Sequence, residues 1–402
     1  MDPSAELLPT HIRDSAVELL TELCAISSAS GDAAGVRAVA ERLAAELSRC
    51  GLVVEMRKEP DGQGGMQPLL LARGPAADDR YLLVVSHLDT VLPAGVPRCL
   101  DGRLVATGAL DTKGGLAALI AALDLLAARG VRPPADMLLL AVPDEEANGA
   151  ISERALAEWG PRARTLLVLE PGEARGDAET LVAGRRGLTE WRLDVRGRAA
   201  HSGLAYWEGR SALAAAAGWC ALAQGLSQPG AGVTVNAARL VAGDTDFVDS
   251  LAANHGLLGS SRRRNVVAER AIAEGEVRYL AAGPGDAVLA ELASLARRIA
   301  AEHDVEMTFA TGQRVPPVDP RGAGEGLVRR TLELAQARGW TLEVEDDRGG
   351  ISFPNYVADV NRIPTVDGLG PVGGGMHTRD EFVDLRSFER RAVLLADLLA
   401  TL

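Results

Sequence analysis

The sequence predicts an α/β fold with a mainly parallel sheet flanked by helices, and two observations support this prediction. Three short aliphatic runs, at 81–86, 136–142 and 165–169, are continuous rather than alternating, as is typical of strands that are buried on both faces. Between the first two lies 114–130, where Ala and Leu recur at helical spacing before a closing glycine. This order of strand, helix and strand predicts a crossover unit between parallel neighbours.

Two amphipathic helices are predicted before the first of these strands, over about 11–28 and 32–49. From about residue 187 the pattern changes, because the segment TEWRLDVRGRAAHSG alternates like a half-exposed strand. An Ala-rich helix over 210–226, the alternating run AIAEGEVRYL and a helix near 284–303 follow. These elements predict a second, smaller α+β unit.

The α/β pattern resumes from about residue 316. It continues with a helix over 324–338, the short run IPTV at 363–366 and a closing helix from about residue 387. The smaller unit is therefore expected to be inserted between two halves of the larger one. The predicted boundaries are 1–186 and 314–402 for the halves of the larger domain and 187–313 for the inserted domain.

Composition narrows the classes of function that the chain can have. Its 402 residues are 47% apolar and 24% charged, which suits two domains with sizeable cores. The formal net charge of −13 disfavours binding to nucleic acid and to anionic membranes. The sequence shows no signal-peptide pattern and no apolar run long enough for a membrane span, and its four cysteines form no CxxC pair. We therefore expect a cytoplasmic protein with reduced thiols.

Side chains that can bind a metal follow the three buried runs. His87 and Asp89 come after the first run, Glu145 and Glu146 after the second, and Glu170 after the third. In open α/β sheets, ligands bind beyond the carboxyl ends of the strands because the loops converge there. We therefore expect these residues to lie around one crevice.

Two further residues complete this set: Asp111, in GALDTKGG before the crossover helix, and His377, in GGGMHTRDE after IPTV. Two imidazoles and three carboxylates suit a pair of zinc ions that share one carboxylate, with cobalt or manganese as alternatives. Without metal, the buried carboxylates would repel one another and take up protons. The predicted metal ligands are His87, Asp111, Glu146, Glu170 and His377.

Glu145 and Glu146 need separate roles, because adjacent side chains on an extended backbone point in opposite directions. We assign Glu146 to a metal. Glu145 is predicted to be the general base, which takes a proton from the attacking water and passes it to the leaving amine. Asp89 is placed to accept the second N–H of His87 and so to orient the imidazole.

Taken singly, these residues have simpler interpretations. Asp111 could be a helix N-cap, and Glu145 and Glu146 could form a solvated acidic loop. A rival motif is the GxGxxG pattern at 368–373, which is typical of dinucleotide-binding enzymes. Its context argues against that function, because Pro371 lacks an N–H inside the supposed phosphate cradle and no helix follows directly. The ordered set of metal-capable residues favours the metal site instead.

The chain resembles a family of dinuclear zinc metallopeptidases that includes carboxypeptidase G, aminoacylase, acetylornithine deacetylase and succinyl-diaminopimelate desuccinylase. The segments that carry the resemblance, in order, are HLDTV, DGRLVATGALDTKGGLAA, PDEEANGA, LEPGE, RRGLTEWRLDVRGRAAHSG and GLGPVGGGMHTRDEFVDL. The resemblance implies an α/β zinc-peptidase catalytic domain interrupted by a smaller α+β lid domain that also dimerises. It implies the same five ligands with Asp111 bridging two zinc ions per subunit, Asp89 orienting and Glu145 as base.

The resemblance also implies residues that contact the substrate. His201, in AAHSG, matches a histidine that reaches the partner subunit's active site and stabilises the tetrahedral oxyanion. Asn265 and Arg278 resemble residues that hold the substrate near its carboxylate, and Arg314 aligns more loosely with another such arginine. In GGISFPN, Phe353 stands where relatives often have Asp. The stretch 243–264 is longer than expected and predicts an inserted loop.

We therefore expect a homodimeric two-zinc hydrolase. It would cleave an amide bond in a small peptide and release an amino acid with a free carboxylate, as a glutamate-carboxypeptidase-like enzyme does. An N-acyl amino acid deacylase is the close alternative, since both reactions use the same chemistry. An inactive ligand-binding homologue is a third possibility, which the presence of Glu145 and His201 disfavours because a binding protein needs neither group.

Overall fold

The structure is a computed structural model that describes residues 7–62, 64–76, 79–147, 149–253 and 265–402. The α-helices of this described part are α1 (Thr10–Ala25), α2 (Ala33–Arg49), α3 (Lys113–Ala128), α4 (Ala150–Trp159), α5 (Ala212–Gln224), α6 (Thr245–Ala253), α7 (Ala282–His303), α8 (Glu325–Ala337) and α9 (Leu385–Leu399).

The strands of the same part are β1 (Val53–Pro60), β2 (Met66–Arg73), β3 (Tyr81–His87), β4 (Arg98–Leu100), β5 (Arg103–Val105), β6 (Met137–Val142), β7 (Ala163–Val168), β8 (Ala174–Arg175), β9 (Ala178–Val182), β10 (Gly187–Arg196), β11 (Val233–Gly243), β12 (Arg270–Tyr279), β13 (Glu306–Val315), β14 (Leu342–Glu345), β15 (Thr365–Val366), β16 (Gly373–Gly374) and β17 (Phe382–Asp384).

The chain folds into two units. The larger unit comprises Met1–Gly184, Asp319–Arg348 and Ser352–Leu402, and the smaller comprises Arg185–Val318 and Gly349–Ile351. The smaller unit thus divides the larger one in the sequence. Within the described residues, none of the helices combines the length and apolar character that a membrane span requires.

The larger unit contains a six-stranded sheet in the order β1-β2-β6-β3-β7-β15. Strands β6, β3, β7 and β15 are parallel, whereas β1 and β2 join antiparallel at one edge. The predicted α/β fold with a mainly parallel sheet is confirmed, and the structure adds the antiparallel edge. β3 and β6 are buried along their whole length, as their continuous aliphatic sequences predicted.

Helices α1, α2, α3 and α9 share one apolar core with this sheet. Helix α3 is buried on nearly all sides, which explains its almost continuous run of Ala and Leu. Its start lies very close to the end of β7, because a Cβ atom added at Gly115 would come within 2.3 Å of the Leu169 carbonyl oxygen. A glycine is needed there for the helix to approach the strand.

The smaller unit is built on a four-stranded antiparallel sheet in the order β11-β12-β10-β13. Helices α5 and α7 pack on one face of this sheet around Trp191 and Trp219. The stretch 243–264, predicted as an inserted loop, contains helix α6, and its residues 254–264 lie outside the described part of the chain.

Candidate metal centre

Three neighbouring strands of the larger unit end at the same edge of the sheet. The parallel register pairs His87 with Val142 on one side and Val85 with Val168 on the other. The loops that follow therefore begin side by side. Glu145 lies in a short 3-10 helix, Glu145–Ala147, just after β6. This edge is where the sequence predicted the metal-capable side chains to meet.

The structure brings the five predicted ligands together around Asp111. One Asp111 carboxylate oxygen, Oδ1, lies 3.0 Å from His87 Nε2, and the other, Oδ2, lies 3.3 Å from His377 Nε2. Beyond the histidines, Glu170 Oε1 lies 3.7 Å from His87 Nε2, and Glu146 Oε2 lies 3.2 Å from His377 Nε2. The central carboxylate thus presents one oxygen to each half of the cluster, which is the arrangement that a shared ligand requires.

Potential donor atoms of His87, Asp111 and Glu146 all lie within 4.8 Å of one another. The cluster is buried on the sheet side, where His87 and Asp111 are hardly accessible, and open on the other, where half of the His377 side chain is exposed. His377 has a positive φ of 63°, in the left-handed region that non-glycine residues seldom adopt. Such strain is retained where the surrounding structure fixes a side chain.

The charges in this cluster favour bound cations. Burial opposes ionisation of Asp111, but contacts with His377 and His87 outweigh it and lower the pKa of that carboxyl. Burial beside Asp111 raises the pKa of Glu146 to about 8, and contact with Asp111 raises the pKa of His377 to about 9. Without a metal, Glu146 and His377 therefore retain protons near neutral pH that a divalent cation would displace, whereas Asp111 is already ionised. Imidazole and carboxylate are also the donors that zinc uses, so the residues fit such ions.

Asp89 makes more contacts than the sequence indicated. His87 Nδ1 lies 3.0 Å from the Asp89 backbone oxygen and 3.4 Å from its carboxylate, so the nearer partner is the carbonyl. The Asp89 carboxylate accepts the backbone N–H groups of Glu145 and Glu146, at 3.1 and 3.2 Å, and the Ser30 hydroxyl at 2.6 Å. Asp89 therefore fixes both the imidazole and the backbone of the two adjacent glutamates.

The loop that carries Asp111 is also held by residues to which the sequence argument gave no role. The Thr112 hydroxyl donates a hydrogen bond of 2.8 Å to the carbonyl oxygen of Leu169, directly before Glu170. The buried ammonium of Lys113 donates to the carbonyl oxygens of Leu23 and Ile26, at 2.9 and 3.0 Å. The motif GALDTKGG contained both residues, but their spacing alone does not reveal which carbonyl groups they reach.

Phe353, the residue of GGISFPN that differs from the usual Asp of the relatives, lies next to His87. Phe353 is fully buried, and its ring centroid lies 6.1 Å from that of His87. The residues Phe353–Tyr356 form a short 3-10 helix, and the Asn355 side chain accepts the backbone N–H of Ser352 at 3.0 Å. An apolar ring therefore covers one side of the imidazole at this position.

The remaining predicted site residues lie in the smaller unit. His201 is exposed, and its Nδ1 accepts the backbone N–H groups of Gly203 and Leu204, both at 3.1 Å. In the neutral imidazole this leaves the proton on Nε2, so that atom is a hydrogen-bond donor. Asn265 is its neighbour, because the Asn265 carbonyl oxygen accepts the backbone N–H of Ser202 at 3.0 Å.

The two predicted arginines have partners within the smaller unit. Arg278 donates to Glu276 and to the Gly349 carbonyl oxygen, both at 2.8 Å. Arg314 forms a 2.8 Å ion pair with Asp286 and lies over the ring of Tyr279. The contact with Asp286 gives Arg314 a local structural role that does not require a substrate.

Comparison with known proteins identifies relatives of the whole chain. Peptidase family M20/M25/M40 matches residues 83–401. Carboxypeptidase G2 from Pseudomonas sp. (strain RS-16) is 28% identical over 403 residues, which cover 98% of this chain and 90% of that protein. Succinyl-diaminopimelate desuccinylase from Methylibium petroleiphilum is 25% identical over 389 residues, which cover 93% of this chain and 94% of that protein.

A solved structure shares the fold. The crystal structure of aminopeptidase PepT from Bacillus cereus ATCC 10987 matches with a TM-score of 0.78 at 21% sequence identity. The match covers 98% of this chain and 99% of that one.

Proposed function

Because the chain belongs to Peptidase family M20/M25/M40 and is therefore a hydrolase, we propose that it cleaves an amide bond to release an amino acid with a free carboxylate. The similarity to carboxypeptidase G2 over nearly the whole chain supports the carboxypeptidase-like form of this reaction. The expected substrates are small peptides and N-acyl amino acids. The working form is expected to be a cytoplasmic homodimer, with the four cysteines as free thiols.

Five side chains would hold two divalent cations, with zinc as the first candidate and cobalt or manganese as alternatives. His87 and Glu170 lie on one side of Asp111, and His377 and Glu146 lie on the other. When bound, such a pair of ions polarises the amide carbonyl and makes the attacking water more acidic. The single observation that carries the proposal is the contact of each Asp111 oxygen with a different histidine.

The chain's own groups would then move protons and orient the reactants. Glu145 accepts a proton from the attacking water and delivers it to the nitrogen of the departing amine, so that the C–N bond breaks without releasing an amide anion. Asp89 supports this step because its carboxylate accepts the backbone N–H of Glu145. His201 of the partner subunit would donate from Nε2 to the oxyanion.

Recognition of the free carboxylate is assigned to Arg278 with Asn265. A guanidinium can hold a carboxylate through two parallel hydrogen bonds. Arg278 already makes such a contact with Glu276, through Nε at 2.8 Å and Nη2 at 3.4 Å. Glu276 would therefore keep the guanidinium in place until a substrate carboxylate replaces it. Arg314 stays a weaker candidate because of its pair with Asp286.

A hydrolysis screen tests the proposal. Zinc-loaded protein is incubated with a panel of dipeptides and N-acyl amino acids, and the released amine is quantified. We expect turnover that disappears after chelation and returns with zinc, cobalt or manganese. The matched control is Glu145→Gln, which should bind metal and lose most of the turnover. If metal-loaded protein hydrolyses no member of the panel, the chain is an inactive binding homologue and the proposal fails.

Deacylation of an N-acyl amino acid is the second candidate, and the similarity to a succinyl-diaminopimelate desuccinylase supports it. The same panel separates the two reactions, because kcat/KM compares substrates by their transition-state binding. A carboxypeptidase discriminates most strongly among the leaving amino acids, which carry the free carboxylate. A deacylase instead discriminates most strongly among the acyl groups.

A further inference from the structure

Asp111 lies in a segment that has little regular structure. The segment connects β5, which ends at Val105, with α3, which begins at Lys113. The backbone N–H groups of such a loop have no partners in a helix or strand ladder, and buried N–H groups need acceptors. Acceptors outside any helix or strand ladder must therefore fix the loop, and with it the carboxylate that contacts both histidines.

Glu381 supplies most of these acceptors. Its Oε2 accepts the N–H of Gly108 at 2.9 Å, and its Oε1 accepts the N–H groups of Leu110 and Asp111 at 2.9 and 3.0 Å. The side chain is almost completely buried. Glu381 is itself held by the backbone, because its carbonyl oxygen accepts the N–H of Ala106 at 3.0 Å and the next residues pair with β5.

We infer that Glu381 is a positioning residue for the metal centre, which sets Asp111 midway between the two histidines; this inference rests on the proposed function. Glu381 follows His377 by four residues, and it contacts a loop 270 positions away in the sequence at Asp111. One side chain thereby ties the segment that carries His377 to the segment that carries the bridging carboxylate. Glu381 does not need to bind a metal ion itself for this effect.

The chemistry of the contact predicts which substitution is informative. A carboxylate can accept hydrogen bonds on both oxygens, whereas an amide replaces one oxygen with an N–H donor. In Glu381→Gln, the side chain keeps its size but turns an N–H group toward at least one backbone N–H. The loop must then move or lose a hydrogen bond. Glu381→Asp keeps the charge but is one methylene shorter, so it cannot reach all three N–H groups.

The test measures metal binding rather than turnover. Zinc is titrated into metal-free protein in competition with a chromophoric chelator, and the visible spectrum of the cobalt form reports the ligand geometry. We expect Glu381→Gln to weaken zinc binding about 10- to 100-fold and to alter the cobalt bands, as substitutions behind metal ligands do. The zinc affinity of Glu381→Asp should lie between the affinities of Glu381→Gln and of the native protein.

Two variants serve as matched controls. Asp380→Asn changes the adjacent exposed acid, and its zinc affinity and cobalt spectrum should equal those of the native protein. Glu179→Gln changes another buried glutamate of the same unit, which pairs with Arg391 at 2.8 Å. It should lower the unfolding temperature and leave zinc affinity unchanged. A native zinc affinity and cobalt spectrum in Glu381→Gln would overturn the inference.

A measurement on the native chain covers the case in which the Glu381 variants do not fold. Hydrogen exchange of the amides of Gly108, Leu110 and Asp111 is followed in metal-free protein. We expect strong protection, because all three N–H groups have a buried acceptor. Exchange as fast as that of exposed loop amides contradicts the inference. If the protein binds no metal yet protects these amides, the proposed function fails while the contact itself stands.

Discussion

At the scale of single residues, the carboxylates of Asp111 and Asp89 contact different groups: Asp111 contacts two imidazoles, and Asp89 contacts the backbone of the two glutamates. Asp111 presents its two oxygens to two different histidines, at 3.0 and 3.3 Å. Asp89 organises the other groups, since its oxygens accept from the backbone of Glu145 and Glu146 and its carbonyl faces His87. We therefore propose that Asp111 ligates the metal ions and that Asp89 fixes the groups around them.

Glu145→Gln should retain metal and lose most activity. The change removes a proton acceptor but no predicted ligand, and general base catalysis contributes roughly 10²- to 10⁴-fold. The measurement compares kcat and bound metal with those of the native protein. Glu153→Gln, which changes an exposed acid of α4, is the control and should behave as native. A near-native kcat in Glu145→Gln would refute the role of Glu145 as base.

Asp89→Asn should lower metal affinity and kcat together. The amide can accept one of the two backbone N–H groups but opposes the other with its own N–H. We expect a loss of about 10- to 100-fold, measured by zinc competition and steady-state rates. Ser30→Ala removes one hydroxyl hydrogen bond to the Asp89 carboxylate but keeps both backbone N–H contacts, so it should cost about tenfold and less than Asp89→Asn. Equal effects of the two variants would contradict the positioning role of Asp89.

At the scale of elements, the sequence predicted the central strands well and missed the antiparallel edge. Strands β3, β6 and β7 are continuous aliphatic runs because both faces of the sheet are covered there. Strand β1 is half-exposed along its length and carries polar residues such as Arg57 and Lys58, so no clear apolar period marks it. Strand β2 contains Pro68, which obscures its aliphatic core.

A buried ion pair fastens α9 to β9. The guanidinium of Arg391 is 1% exposed and donates to Glu179 at 2.8 Å and to the Thr180 carbonyl oxygen at 2.9 Å. Arg391→Met should lower the free energy of unfolding by about 3 kcal/mol or more, because it leaves the Glu179 carboxylate buried without this partner. Urea unfolding followed by circular dichroism measures the loss.

The neighbouring arginine provides the control for that change. Arg390 contacts the same carboxylate of Glu179 at 3.3 Å, but about a third of its side chain is exposed. Arg390→Met should therefore cost about 1 kcal/mol or less. If both substitutions shift the urea midpoint equally, burial does not determine the strength of this contact.

At the scale of the whole molecule, the sequence indicated the grouping of the metal-capable residues but not what holds them. Residues that follow parallel strands must converge, so His87, Glu146 and Glu170 could be grouped before any coordinates were known. The contacts of Glu381 and Lys113 with backbone groups could not be predicted from the sequence. They join positions that are far apart in the chain and lie in or next to irregular loops. Tertiary packing alone determines such contacts.

The proposed dimer predicts complementation between subunits. His201→Ala and Glu145→Gln should each lose about 10²-fold or more in kcat as pure dimers. When the two are mixed and allowed to exchange subunits, each mixed dimer has one site with an intact Glu145 and an intact His201 from the partner subunit. Activity should therefore return. Mixed dimers that stay as inactive as the parents would show that His201 does not act across subunits.

The proposed metal centre is tested most directly by the metal content of the folded protein. Elemental analysis is performed on protein purified without chelator, beside Asp111→Ala prepared in the same way. We expect two divalent ions per native chain and a marked loss in the variant, because the proposed centre shares the Asp111 carboxylate between both ions. A folded, active native protein without bound metal, or an unchanged metal content in Asp111→Ala, would contradict it.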